Sequence, residues 1–154
     1  MEGFEVAAPG LFAVAYRVAF RLTGSDPDAS DMAQESLARA FERWAQVESY
    51  AEAWVARTAT NLALDRYRQL RRRPLPSLSM RSSEVDRNRV DLIKALRALP
   101  RRQRDAVVLR YLADLDEASV AERMGCSVGA VKQHAHRGLQ ALRISAHLTM
   151  SEDR

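Results

Sequence analysis

A single cysteine, Cys126, stands among 154 residues, so no disulfide can form within the chain, and neither a Cys-rich zinc site nor a secreted disulfide scaffold can be built. A reducing compartment is the expectation. Glycine (6) and proline (5) are few and fall mostly outside the apolar-periodic segments, which disfavours an all-β chain with its many turn signals. No apolar run approaches the ~20 residues of a membrane span. The start, Met1 to Glu5, is acidic rather than basic, so no membrane insertion is expected and the cytoplasm is the default location. A Gly-rich phosphate loop, a nucleophile elbow and an acid–base pair in a cleft are all missing. His134 and His136 are two residues apart and point to different helix faces, so they make no ligand pair. The sequence therefore predicts no enzyme, with no catalytic residue, no metal and no cofactor.

What is present is an ordinary folded composition, 47% apolar and 29% charged, too apolar for general disorder. Its charge is unevenly placed. Residues 1–65 hold ten acids and five bases, a net of −5, whereas residues 66–154 hold nineteen bases and ten acids, a net of +9. An acidic front and a basic back point to nucleic-acid or membrane contact by the basic part.

Apolar residues recur at helical spacing throughout, predicting an all-α chain. Leu11, Ala15, Val18 and Leu22, with Phe12 and Ala19, mark a first helix. Gly24-Ser25-Asp26-Pro27 stops it and starts a second, with Asp26 as the expected cap and Pro27 in the first turn. The second helix should run to about Trp44 and bury Ala33, Leu37, Ala40, Phe41 and Trp44. A third should carry Val55, Ala59 and Leu62 inward and end near Arg73. Pro74 and Pro76 cannot continue it, and nine of the ten aromatics precede residue 68. Two small helical domains are expected, 1–73 and 86–148, joined by a linker at 74–85. The second domain should hold four helices: Val90–Leu99, Arg101–Leu112, about Asp116 to Met124, and Val128 to about Ala146.

Within that second domain, residues 117–131 combine a short helix with small Ala121, a turn at Gly125, a capping Ser127 and a further helix. This is the arithmetic of a helix-turn-helix. Val128, Val131, Ala135, Gly138 and Leu142 step inward, leaving Lys132, Gln133, His136, Arg137 and Gln140 outward. Those side chains can donate to phosphates and to base edges in the major groove, and Arg101, Arg102, Arg104 and Arg110 on the preceding helix add positive charge. In the first domain, Trp54, Arg57, Asn61, Asp65 and Arg68 share one helix face. An indole with an amide and guanidiniums suits single-stranded or flipped bases, and the basic run Arg66, Arg68, Arg71, Arg72 and Arg73 could follow a phosphate backbone or complement the helix C-terminal dipole. Asp28, Asp31 and Glu35, with Gln34 alongside, form an acidic stripe better suited to a protein partner.

Taken in order, these motifs resemble the RNA polymerase sigma factors of the sigma-70 family, extracytoplasmic-function (group IV) type, over about residues 8–145. Asp28-x-x-Asp31-Met32-x-Gln34-Glu35 is similar to that family's region 2.2, which implies that Asp28, Asp31, Gln34 and Glu35 grip the clamp helices of the polymerase β′ subunit. Trp54-Val55, Asn61 to Asp65 and the Arg run resemble regions 2.3 and 2.4. The resemblance implies melting and reading of the −10 promoter element by Trp54, Arg57, Asn61, Arg68, Arg71 and Arg72. Leu99-Pro100, Val108 to Tyr111 and the helix-turn-helix resemble region 4, implying −35 contacts by Arg110, Lys132, Gln133, His136 and Arg137 and docking on the polymerase β flap. An anti-sigma factor is a further implied partner. Thr58, Ser119, Ala130 and Ala135 depart from the family's usual residues. With Gly138 inside a helix, at a cost of about 1 kcal/mol, they predict a loosely packed second domain. Two alternatives stay open: a helix-turn-helix regulator acting on duplex DNA without polymerase, and a sigma-like adaptor that binds only proteins.

Overall fold

A computed structural model describes residues 2–72 and 84–152, with side chains placed for 2–69 and 88–144. Among the described residues every regular element is helical. The first half comprises α1 (Glu2–Thr23), α2 (Asp26–Glu42), the one-turn α3 (Trp44–Val47) and, after a 3₁₀ turn at Glu48–Tyr50, α4 (Ala51–Arg72). The second comprises α5 (Glu84–Ala98), α6 (Arg101–Val107) running on as a π-helix over Val108–Leu112, α7 (Glu117–Met124) and α8 (Val128–Glu152). The expected linker lies outside the described residues except at 84 and 85, where α5 has already begun.

Helices α1 and α2 form a hairpin whose turn is set by Gly24, at φ +66°. The Arg89 guanidinium of α5 lies directly over this glycine, where a Cβ would require it to swing aside, and the left-handed backbone is what calls for glycine at the turn. The cap of α2 is Ser25, which accepts from the Asp28 N–H at 3.3 Å, not Asp26 as the sequence led one to expect. Asp26 is already helical, and its carboxylate accepts from the Tyr16 hydroxyl instead.

Helix α1 is longer than its periodicity announced. It starts nine residues before Leu11 and carries Pro9 inside it. Phe4 holds the added turns by packing edge-on against Phe41 and Trp44, with ring centroids 5.1 and 5.3 Å apart. The same three rings explain a second departure: α2 ends at Glu42, and Phe41, 43% exposed, lies outside the bundle rather than in its core. Leu37, Trp44 and Leu62 are half-buried, and Val128, at the first turn of α8, is exposed. With its added turns α1 is also long and apolar enough to cross a membrane, by length and composition, which corrects the expectation that no segment is. Its Leu11, Val14, Ala15, Val18, Ala19 and Leu22 are buried against the rest of the bundle.

The three long helices meet through small residues: Ala15 and Ala19 from α1, Ala29, Ala33 and Ala40 from α2, Ala56, Ala59 and Ala63 from α4, all at or near zero exposure. Short side chains bring the axes close. The buried cluster continues through Leu96 of α5 and Leu99 just after it into Val107, Val108, Leu109, Val120 and Val131, so one core crosses from the first half to the second. Packing in the second half is close, contrary to the expectation. A Cβ on Gly138 would lie 2.6 Å from Val107 Cγ2 and 3.3 Å from the Gln103 carbonyl, so α8 crosses α6 nearly backbone to backbone, and Ala135 is buried beside it.

Candidate nucleic-acid interface

The turn between α7 and α8 is built from short-range hydrogen bonds. Asp116 caps α7 by accepting from the Ser119 N–H at 2.8 Å, and the hydrogen bonds from Ser119 hold its carboxyl below the ordinary range. At the far end Gly125 takes φ +66°, its N–H bonding the Glu122 carbonyl while the Cys126 N–H reaches that of Ala121. This is a Schellman closure, for which glycine is the natural residue. Ser127 then caps α8 through the Ala130 N–H at 3.0 Å. Both caps are satisfied, so the angle between α7 and α8 is fixed locally before any ligand arrives.

On α8, Val131, Ala135 and Gly138 face inward, while Lys132, Gln133, His136, Arg137 and Gln140 are exposed, as the sequence led one to expect. Lys132 leans 3.6 Å from Glu117; among the described residues Arg137 forms no ion pair. Arg110 behaves differently. It is turned beneath the loop before α7, donating to the Leu115 carbonyl at 2.7 Å and lying 3.5 Å from Glu117. Glu117 thus holds two of the expected DNA contacts, Lys132 and Arg110, in one acidic bracket.

The α4 stripe is divided. Trp54 is half-buried against the core, and its carbonyl accepts from the Thr58 hydroxyl at 2.8 Å. Asn61, Asp65 and Arg68 are exposed. Arg57 faces the second half, 3.7 Å from Asp105 of α6. Burial pushes the Asp105 carboxyl above its ordinary value, outweighing the nearby guanidiniums of Arg101, Arg104, Arg123 and Arg102. Arg71 and Arg72 close α4, their side chains lying outside those described.

On α2, Asp28, Asp31, Gln34 and Glu35 lie away from the buried Ala29, Met32, Ala33, Ser36 and Ala40. Asp28 pairs with Arg66 of α4 at 2.9 Å and Glu35 with Arg39 at 2.8 Å. Asp31 is exposed and, among the described residues, forms no ion pair. The stripe therefore presents one uncompensated carboxylate with Gln34 beside it. Among the described residues no three His, Cys, Asp or Glu side chains gather as a metal site.

Sequence reasoning missed the residues that join the halves: Arg17 and Arg21 of α1, Asp105 of α6, and Asp114 in the loop before α7. The visible signal was a pair of arginines four apart on a stretch, Val6 to Thr23, that holds no other charged residue.

The comparisons with known proteins match two segments of the chain, one in each half. A family model described as Sigma-70 region 2 matches residues 11–73, and one described as Sigma-70, region 4 matches residues 89–142. The extracytoplasmic-function RNA polymerase sigma factor SigE of Mycolicibacterium smegmatis is 35% identical over 145 residues, covering 83% of this chain and 55% of that protein. The chain thus spans about half the length of that relative. The RNA polymerase sigma-E factor of Streptomyces coelicolor is 32% identical over 135 residues, covering 82% of this chain and 76% of its own. SigW of Bacillus subtilis is 27% identical, covering 83% and 80%. Among solved structures, the sigma factor RpoE of Bartonella quintana, in complex with the anti-sigma factor NepR, shares the fold, with a TM-score of 0.53 at 21% identity over 96% of this chain and 98% of that one.

Proposed function

The chain belongs to the extracytoplasmic-function type of the sigma-70 family, transcription initiation factors that direct RNA polymerase to promoters, and we propose that three of its faces divide that work. The acidic face of α2, through Asp28, Asp31, Gln34 and Glu35, holds core polymerase at the β′ clamp helices. The α4 stripe of Trp54, Arg57, Asn61 and Arg68, with Arg71 and Arg72, opens and reads the −10 element. The outer face of α8 reads the −35 element through Lys132, Gln133, His136 and Arg137, while Arg110 supports that face from beneath, and the second half docks on the β flap. The chain performs no catalysis of its own and acts in the cytoplasm, where polymerase and promoter meet. An anti-sigma factor, such as the one bound to the Bartonella quintana protein, is the corresponding inhibitory partner.

The observation that carries this assignment is that each matched region leaves one chemically suited face uncovered. Residues 11–73 present Asp31, which forms no ion pair among the described residues, and residues 89–142 present Gln133, His136 and Arg137 on a helix whose start is capped by Ser127. Phosphate contacts position a protein whereas base contacts specify sequence.

Run-off transcription from a genomic promoter library, with purified core polymerase and the full chain, tests both faces. Wild-type protein should yield a defined set of start sites. Asp31→Arg should abolish the whole set, because it puts a cation where the partner offers one. Arg137→Ala should change which promoters are used, by about tenfold per affected site if one base contact is lost. If Asp31→Arg supports the full set, the α2 face is not the grip. If no start sites appear while the chain binds duplex DNA tightly, it is a regulator acting without polymerase.

A further inference from the structure

Arg17 and Arg21 stand one turn apart on α1 and reach away from the first half. Arg21 donates from Nη1 to the carbonyls of Tyr111 at 2.8 Å and Leu112 at 2.9 Å, and Arg17 donates to that of Ala113 at 3.1 Å. These carbonyls close the π-helical end of α6, where a helix leaves its acceptors without partners. A helix of the second half is therefore capped by guanidiniums that lie 90 or more residues earlier in the chain. The residue that follows, Asp114, holds φ +57° without being glycine, a region that Asp enters more readily than most L side chains. Its carboxylate lies 3.2 Å from Arg21 and 3.9 Å from Arg17. Two further contacts cross the same seam: Arg123 of α7 lies over the Tyr50 ring at 4.5 Å, and Arg57 faces Asp105.

We propose that Arg17, Arg21 and Asp114 form a latch that holds the two halves of the free chain together, with the Asp105 carboxylate occupying Arg57 in place of a nucleic-acid phosphate. Release of Arg57 then requires the latch to open. The consequence for promoter strands rests on the reading of the α4 stripe given above; the latch itself does not. The construction suits a reversible joint. Its ion pairs are about half exposed, with side-chain accessibilities of 41% for the arginines and 53% for Asp114, so salt screens them and a competing polyanion can displace them. The backbone at Asp114 is free to relax once they part.

The test uses the full chain with Cys126→Ser, carrying spin labels at Ala38→Cys on α2 and Arg143→Cys on α8, both exposed positions. Electron–electron double resonance should give one narrow distance distribution for the otherwise wild-type chain. In Arg17→Ala/Arg21→Ala it should broaden towards longer distances. In unlabelled chains, modification of Arg57 by phenylglyoxal, read by peptide mass spectrometry, should become about tenfold faster in the same variant, as charge-assisted hydrogen bonds of this kind are lost. Asp114→Gly keeps the carbonyl contacts and accepts the left-handed backbone, so it should open the seam less. A narrow wild-type-like distance together with a protected Arg57 in the double arginine variant overturns the latch. Should that variant lose helicity, the same pair of results in the single variant Arg21→Ala, which removes both carbonyl bonds at Tyr111 and Leu112 and the nearer ion pair, overturns it instead. Neither readout contains polymerase or DNA, so a failed run-off experiment refutes the promoter reading and not this one.

Discussion

Gly138 shows how a single residue can read one way in the sequence and another in the fold. Taken alone it is a weak point in a helix, about 1 kcal/mol worse than Ala. In the structure it is the place where α8 touches α6, and an added methyl would fall 2.6 Å from Val107 Cγ2, a distance that a β-branched buried neighbour cannot open by rotating away. Gly138→Ala should therefore destabilise the chain by about 1–3 kcal/mol through overpacking, despite the gain in helix propensity, as measured by urea denaturation. An increase in stability would show that the crossing can relax. The surface residues of α8 were legible because they needed only helical periodicity. Arg110 and Arg57 were recognisable as cations, but their partners, Leu115 with Glu117 and Asp105, come from turns and from the other half, and no periodicity encodes those.

At the scale of elements, the helix interiors were legible and their ends were not. Periodicity located α1, α2, α4 and the second-half helices, and the Gly125 turn followed from its sequence alone because its hydrogen bonds are all local. The start of α1 was hidden by Pro9, which lacks an N–H and argues against a helix running through it. What overrides that argument is tertiary: Phe4 meets Phe41 and Trp44 edge-on. Each such aromatic pair contributes about 0.5–1.5 kcal/mol beyond its area, enough to offset one missing hydrogen bond. Phe4→Ala should consequently free the first two turns of α1 while leaving the part from Leu11 to Leu22 intact. Hydrogen exchange at residues 5–8, the first whose N–H groups have a carbonyl one turn earlier, should speed up by about tenfold or more, with protection at Val18 and Ala19 unchanged. Equal loss along the whole helix would mean that the aromatic cluster holds the bundle and not merely its end.

At the scale of the whole molecule, composition and charge divide the chain in two, with nearly all aromatics and a net negative charge in front and most of the arginines behind, whereas the buried cluster does not respect that division. Leu96 of α5, Leu99 just after it, and Val108 and Leu109 of the π-helical continuation of α6 belong to the same cluster as Val18 and Ala59, and the arginine contacts from α1 close the seam at its edge. A chain whose core crosses the seam should unfold in one step, since separating the halves exposes apolar surface on both. Both tryptophans, Trp44 and Trp54, lie in the first half, so their fluorescence reports that half alone, while far-ultraviolet circular dichroism sums the helices of both. In urea the two signals should give coincident transitions for the wild-type chain. In Arg17→Ala/Arg21→Ala they should separate, with helicity lost in two stages as the second half melts apart from the first. Non-coincident transitions in the wild type would mean that the shared cluster is too thin to couple the halves. The two units read from the composition would then be the cooperative units as well.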